Sequence, residues 1–195
     1  MVGRTVAGKL SELGHEVRVG SRTAGEDKVV FGEAAAFGEA IVNATAGTAS
    51  LDVLSGAGAH NLAGKVLLDI ANPLDFSQGM PPTLSICNTT SVGEQIQEAF
   101  PDARVVKSLN TVNADVMVDP SRVPGSHTIF MAGNDDAAKG QVAELLQSFG
   151  WPREDVMDLG DITASRGMEM YLPLWLRLWG SAGTGHLNVK VMIGD

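Results

Sequence analysis

The 195-residue chain predicts an α/β fold built on a doubly wound parallel sheet with a C-terminal helix. Three observations lead there. The chain opens on a helix that runs straight into a strand. Short runs rich in Val, Ile and Leu then alternate with helical stretches. Those runs are continuously apolar, as strands covered on both faces are.

The opening "MVGRTVAGKLSELGHEVRVGSR" sets the pattern. Val6, Leu10 and Leu13 recur at spacings of three and four and so share one helix face, and Gly14 stands where a left-handed residue ends a helix. Residues 15–19 alternate around Val17 and Val19 as a short strand. In a dinucleotide-binding unit the pattern G-x-G-x-x-G closes a strand and opens a helix whose free N–H groups hold a pyrophosphate. Gly3 fits the third glycine. Met1 and Val2 are then the two variable residues before it, and the first strand with its two glycines is expected upstream of residue 1. A capped amphipathic helix followed by a strand accounts for the same stretch without any ligand.

Residues 23–30 are too few for a crossover, which needs a dozen or more, so the second helix is expected to be cut down or absent. "EAIVNATAG" (39–47), "GKVLLDIANP" (64–73), "ARVVKSLN" (103–110) and "HTIFMAG" (127–133) read as buried strands, and residues 49–58, 91–100 and 135–149 as the helices between them. The last helix is the clearest: Asn134, Asp135 and Asp136 offer a cap and first-turn acids. Val142, Leu145, Leu146 and Phe149 form its apolar stripe, and Gly150 and Pro152 stop it. A final strand in "EDVMDLG" precedes an amphipathic stretch from Ile162 to about Trp179. The remainder beyond Gly150 is too short for an independent substrate domain. The expectation is one NAD(P)-binding domain over residues 1–195, with 161–195 as a C-terminal helical extension and the function on the sheet's own loops.

Composition narrows the function. Fourteen basic against 23 acidic side chains give a net charge of −9, which repels phosphate backbones and anionic lipid, so neither nucleic acid nor membrane is an expected partner. The lone Cys87 excludes an internal disulfide framework, fits a reducing, cytoplasmic setting and is expected to be a small buried residue. No secretory signal is visible, and "MYLPLWLRLWG" (170–180), with Pro173 and Arg177, is too short to span a bilayer. The four histidines show neither metal nor triad spacing, and no HExxH, Walker loop or cysteine cluster occurs. No metal site is expected and no catalytic acid–base pair is assigned.

The loop after the second strand, Gly20-Ser21-Arg22-Thr23, carries Arg22 nineteen positions beyond Gly3, with no acid before Glu26. NAD-preferring sites place an acid there for the ribose 2′-OH, whereas an arginine suits a 2′-phosphate. Arg22 flanked by Ser21 and Thr23 therefore reads as a 2′-phosphate cradle for NADP, the alternative being a solvated loop arginine. Ligands in such sheets lie beyond the carboxyl ends of the strands. There Thr45, Ala46 and Gly47 let the backbone approach a flat ring, Asn72 before Pro73 is held extended, and Asn110 and Thr111 add polar contacts. Each of these also suits a turn bonded to its own backbone. Hydride transfer between two cofactors asks little of side chains beyond holding two rings face to face and keeping water out, which agrees with the absence of an acid–base pair.

"MVGRTVAGKLSELGHEVRVGSR", "DIANPL", "VVKSLNTVNADVM" and "LPLWLRLWGSAGTGHLNVKV" together resemble the NADP oxidoreductases that depend on the deazaflavin coenzyme F420, over nearly the whole chain. The resemblance implies a Rossmann fold, NADPH as hydride donor or acceptor, coenzyme F420 as second cofactor and a homodimer. By position it matches Gly3 to the last glycine of the phosphate loop, Ser21 and Arg22 to the 2′-phosphate contacts, and Asn72, Pro73, Asn110 and Thr111 to the nicotinamide pocket. The chain departs from the pattern in lacking the first two glycines and in its short stretch after Arg22. Trp175 and Trp179 are expected in the core or at a dimer surface, with cover for a second cofactor as the alternative. Two other readings remain open: an NADPH-dependent reductase of keto or imino substrates, and a non-catalytic NADP-binding protein.

Overall fold

The computed structural model describes residues 2–194; the expectation for Met1 lies outside them. Five strands form the main sheet. Numbered in chain order, with two short strands preceding them, they are β3 (Ala40–Asn43), β4 (Val66–Asp69), β7 (Arg104–Ser108), β8 (Ile129–Gly133) and β9 (Val156–Asp158), in the spatial order β3-β4-β7-β8-β9. All neighbours are parallel except β7 and β8, which run antiparallel. This is the mostly parallel α/β Rossmann-like sheet, with one reversal that its sequence does not announce. The connection after β7, containing α6 (Ala114–Val118) and a 3-10 turn at Pro120–Arg122, stays at the carboxyl end of β7, so β8 starts there and returns. Ile129, Met131, Ala132 and Gly133 are buried, and a strand covered on both faces is apolar whichever way it runs.

Side-chain alternation splits the core into two layers. Val66, Leu68, Ile70 and Val106 face α1 (Val2–Glu12), α6 and α7 (Asp136–Ser148). Leu67 and Val105 face the opposite layer. There α2 (Phe31–Phe37), α3 (Ser50–Ala57), α4 (Ala59–Leu62) and α5 (Val92–Ala99) contribute Ala35, Leu54, Leu62, Val92 and Ile96. The helix signals operate as read. Asp135 caps α7 by accepting from the Ala138 N–H at 2.7 Å, Ser91 caps α5 through the Glu94 N–H at 3.1 Å, and Gly14, at φ +88°, closes α1. There His15 N–H reaches back to the Leu10 carbonyl. Leu13, past the last turn of α1, is exposed.

Two expectations need correction. Residues 15–19 form no strand: only Gly20–Ser21 (β1) pairs, in parallel, with Val29–Val30 (β2). The second helix is cut down, as expected, to the seven-residue α2, which follows β2 directly. Cys87 is exposed, in the loop between β6 (Thr83–Leu84) and α5, because its short apolar run belongs to no sheet layer. β6 pairs only with β5 (Leu74–Asp75), in a small antiparallel ribbon.

The C-terminal stretch is helical but broken. A 3-10 turn at Ile162–Ala164 leads into α8 (Ser165–Met170) and α9 (Leu172–Ala182). Pro173, in the first turn of α9, has no N–H to continue the ladder. Among the described residues no helix is long and apolar enough to cross a membrane.

Candidate functional site

A cleft of about 590 Å³ opens beyond the carboxyl ends of β3, β4 and β7. Its lining includes Ala44, Thr45 and Ala46 after β3, Ala71 and Asn72 after β4, and Asn110 after β7, with Val2 of α1 at one side and Leu172 and Trp175 of α9 at another. Asp75 is the only charged residue lining it among those described.

The loops that make the cleft are fixed to one another. Asn72 Nδ2 donates to the Asn110 carbonyl at 2.9 Å, while Asn110 Nδ2 donates to Asn72 Oδ1 at 2.9 Å and to the Met168 carbonyl of α8 at 3.1 Å. Both amide hydrogens of Asn110 are thereby engaged, which fixes its orientation and leaves Asn110 Oδ1 buried without a partner. Leu109, which aims Asn110, is fully buried at φ +64°. A bulky residue there is strained, and such strain collects where a side chain must be held at a set angle. Gly47 meets the same loop by backbone: its N–H donates to the Asn72 carbonyl at 3.1 Å, and a Cβ at this position would lie 2.4 Å from that oxygen. The missing side chain of Gly47 therefore serves loop against loop. Thr45 Oγ1 contacts Asn43 Oδ1 at 2.8 Å and Ser50 Oγ at 3.0 Å.

Below the cleft runs a polar row that sequence reasoning passed over. Register places Asn43, Asp69 and Lys107 side by side on β3, β4 and β7, on the face that carries Leu67 and Val105. Lys107 Nζ lies 2.8 Å from Asp69 Oδ2 and 2.8 Å from Glu169 Oε1 of α8, and it donates to the Ala71 carbonyl. Asp69 Oδ1 accepts from Asn43 Nδ2 at 2.8 Å and from the Ala71 N–H at 3.1 Å. Glu169 accepts from the Val92 and Gly93 N–H groups at the start of α5. All three ionic side chains are at most 2% exposed. Burial pulls the Lys107 ammonium down, but the Asp69 and Glu169 carboxylates outweigh it and hold it above its ordinary value. Burial pushes the Glu169 carboxyl up, against Lys107 and the Val92 N–H. The signal was available: Asp69 is the one charge in the apolar run of β4 and Lys107 follows two valines in β7, each three positions before a cleft asparagine.

The structure distributes the expected site residues unevenly. Val2, Thr45, Ala46, Asn72 and Asn110 line the cleft together. Gly3 sits at the start of α1, where a Cβ would contact Ala44 Cβ at 3.5 Å. Pro73 and Thr111 are buried behind the lining, Thr111 Oγ1 without a partner. Ser21, Arg22 and Thr23 line neither this cleft nor the second cavity. Ser21 Oγ bonds the Thr23 carbonyl, and Arg22 and Thr23 are exposed in the loop after β1. Trp175 is 9% exposed, stacks on Trp179 at 6.0 Å between ring centroids, and lines the cleft with Nε1 buried and unpartnered.

A second cavity, about 760 Å³, lies between residues 15–20 and the free edge of β3. Val6 and Leu10 border it on one side, Phe31 and Leu54 on the other.

Comparison with known proteins agrees with this architecture. No family model matches the chain. A crystal structure of a protein provisionally assigned as an F420-dependent NADP reductase, from Arthrobacter sp. FB24, is 53% identical. It superposes with a TM-score of 0.93 and covers 98% of this chain and 95% of its own. Metalloreductase STEAP2 of Homo sapiens is 30% identical over 122 residues, which are 62% of this chain but only 22% of that protein. A reductive aminase of Aspergillus terreus in complex with NADPH superposes with a TM-score of 0.61 over 93% of this chain and 59% of its own. Its 17% identity speaks for the fold alone.

Proposed function

Because the chain belongs to the F420-dependent NADP reductase family, and is thus an NADP oxidoreductase by family, we propose that it transfers a hydride between NADPH and the deazaflavin coenzyme F420 across the cleft of β3, β4 and β7. One observation carries this reading: Asn72 and Asn110 are locked to each other in the lining of an otherwise largely apolar cleft that Trp175 also lines. NADPH supplies the hydride; the chain's residues bind, orient and exclude water.

The residues suit the two ends of such a nucleotide differently. The cleft contains no basic residue among its described lining, which fits an uncharged ring rather than a phosphate. Asn110 Oδ1, buried and unpartnered, is an acceptor suited to a carboxamide N–H. The start of α1, with Val2 on the cleft and Gly3 against Ala44, offers free N–H groups and a helix dipole for the pyrophosphate. In this reading Arg22, exposed with Ser21 and Thr23 at the end of β1, takes the 2′-phosphate, and Trp175 covers the ring of the second cofactor. Residues 1–195 act as one domain with 161–195 as its extension. Two copies pair through α9, whose Leu174 and Trp179 are exposed, in a cytoplasmic setting that suits the free thiol of Cys87.

Mixing the protein with NADPH and oxidised F420 should bleach the visible absorbance of the deazaflavin. Consumption of NADPH by keto or imino substrates with no bleaching would replace this reading by a small-substrate reductase. Binding of NADPH with no turnover of either kind would replace it by a non-catalytic binder. Arg22→Ala should weaken NADPH about tenfold while leaving NADH within twofold, since the lost contact is a charge-assisted pair to a phosphate.

A further inference from the structure

The buried row under the cleft does not sum to zero. With both carboxylates ionised, Asp69 and Glu169 carry two negative charges against the one positive charge of Lys107, all at most 2% exposed. Burial removes them from bulk solvent, so their field acts at a low effective dielectric. The protein between them and the cleft is one residue deep. Ala71 lines the cleft while its carbonyl accepts from Lys107 and its N–H donates to Asp69. The start of α5 offsets part of the excess, because the Val92 and Gly93 N–H groups point at Glu169 and bring a partial positive charge of about +0.5. The offset is incomplete. Asp75, the one charged residue on the cleft itself among those described, is also acidic.

We propose that the Asp69–Lys107–Glu169 cluster sets the preference of this site between the two redox states of the nicotinamide, by favouring the ring that carries a positive charge. The inference rests on the reading that the cleft holds that ring. In the dihydro form the ring is neutral. On giving up a hydride, with both electrons of its C–H bond, to a two-electron acceptor such as a deazaflavin, the ring would become a pyridinium cation without releasing a proton, and the proton that neutralises the reduced acceptor would come from water. A fixed anionic excess one residue beneath the ring binds the cation more tightly than the neutral form, and so favours hydride departure from NADPH. Asp69, Lys107 and Glu169 touch neither ring nor substrate; they act through the charge they place there and are positioning residues in that sense.

The test measures dissociation constants of NADP⁺ and NADPH by calorimetry on the whole chain and on charge variants. Glu169→Gln brings the cluster to zero and should weaken NADP⁺ relative to NADPH by about three- to tenfold, tenfold being about 1.4 kcal/mol. The double variant Lys107→Met/Glu169→Gln returns the cluster to one negative charge and should restore the wild-type ratio, although its packing is altered further. If Glu169→Gln does not fold, Asp69→Asn removes the same charge and carries the same expectation. A ratio unchanged in the neutralised variant, or a parallel loss of both nucleotides, overturns the inference and leaves the cluster as packing. Wild-type protein that binds neither nucleotide at millimolar concentration overturns the reading of the cleft, and the inference with it.

Discussion

Val17 and Val19 in the N-terminal segment and Val105 and Val106 in β7 are the same side chains with the same local preference for extended backbone. Val105 and Val106 are wholly buried, with β4 paired on one edge and β8 on the other. Val17 and Val19 are half-buried beside the second cavity, and of residues 15–19 only the two ends join backbone hydrogen bonds that cross to another element or close a helix. A strand is a relation between chains and not a property of one run: the N–H and C=O groups must find partners on a neighbouring edge. The same cavity leaves Ile41 and Val42 of β3 half-buried, although their partners Leu67 and Leu68 on β4 are covered. Stability in this molecule therefore concentrates in the sheet from β4 to β8 and thins toward the N-terminal layer.

That contrast is open to direct attack. Leu67→Ala empties a site with 0% exposure on an interior strand of the sheet and should cost about 2–5 kcal/mol. Val17→Ala should cost less than about 1 kcal/mol by the same denaturant titration, because its surroundings are already half open. Equal losses would mean that residues 15–19 are as well packed as β7. Glycines test the same division with opposite signs. Gly47→Ala drives a methyl into the Asn72 carbonyl and should destabilise by about 1–3 kcal/mol while loosening the cleft. Gly8→Ala, inside α1 with nothing within 4 Å, should stabilise by about 0.5–1 kcal/mol.

Hydrogen exchange should resolve the two regions amide by amide. Protection in residues 104–108 should approach that of global unfolding, with residues 16–19 exchanging much faster. The smallest expected effect concerns pH. Burial raises the Glu169 carboxyl above its unfolded value, so the stability it contributes is fully present below the unfolded value of about 4.5 and is lost as pH rises through the raised one. Glu169→Gln should flatten that part of the pH–stability curve. A curve unchanged by the substitution would show that Glu169 titrates as it does in the unfolded chain.

Much of the fold was legible because its signals are local or periodic. The continuous apolar runs around Leu67, Val105 and Ile129 require a sheet covered on both faces, and Asp135 and Gly14 mark where helices start and stop. The placement of the cleft was legible for a topological reason, since ligands in such sheets lie beyond the carboxyl ends of the strands, and Thr45, Asn72 and Asn110 meet there. The direction of β8 was not legible, because burial pattern is blind to polarity. The mutual lock of Asn72 and Asn110 was hidden as well: two amides 38 positions apart reveal nothing of their partnership until both loops reach the same end of the sheet.

By itself the sequence determined which runs are apolar on both faces, where helices are capped, that the chain carries a net charge of −9, and which loops carry small and amide side chains. Each of these is a matter of composition or of spacing within one element. Tertiary structure decided the rest. It denied strand form to residues 15–19, turned β8 around, and committed the freedom of Gly47 to its own backbone. It also set Asn43, Asp69 and Lys107 in one row and brought Glu169 from α8 to close it. Pairing, close approach and buried charge are all relations between residues far apart in the chain, and their energy exists only once the sheet has brought the partners within hydrogen-bonding distance.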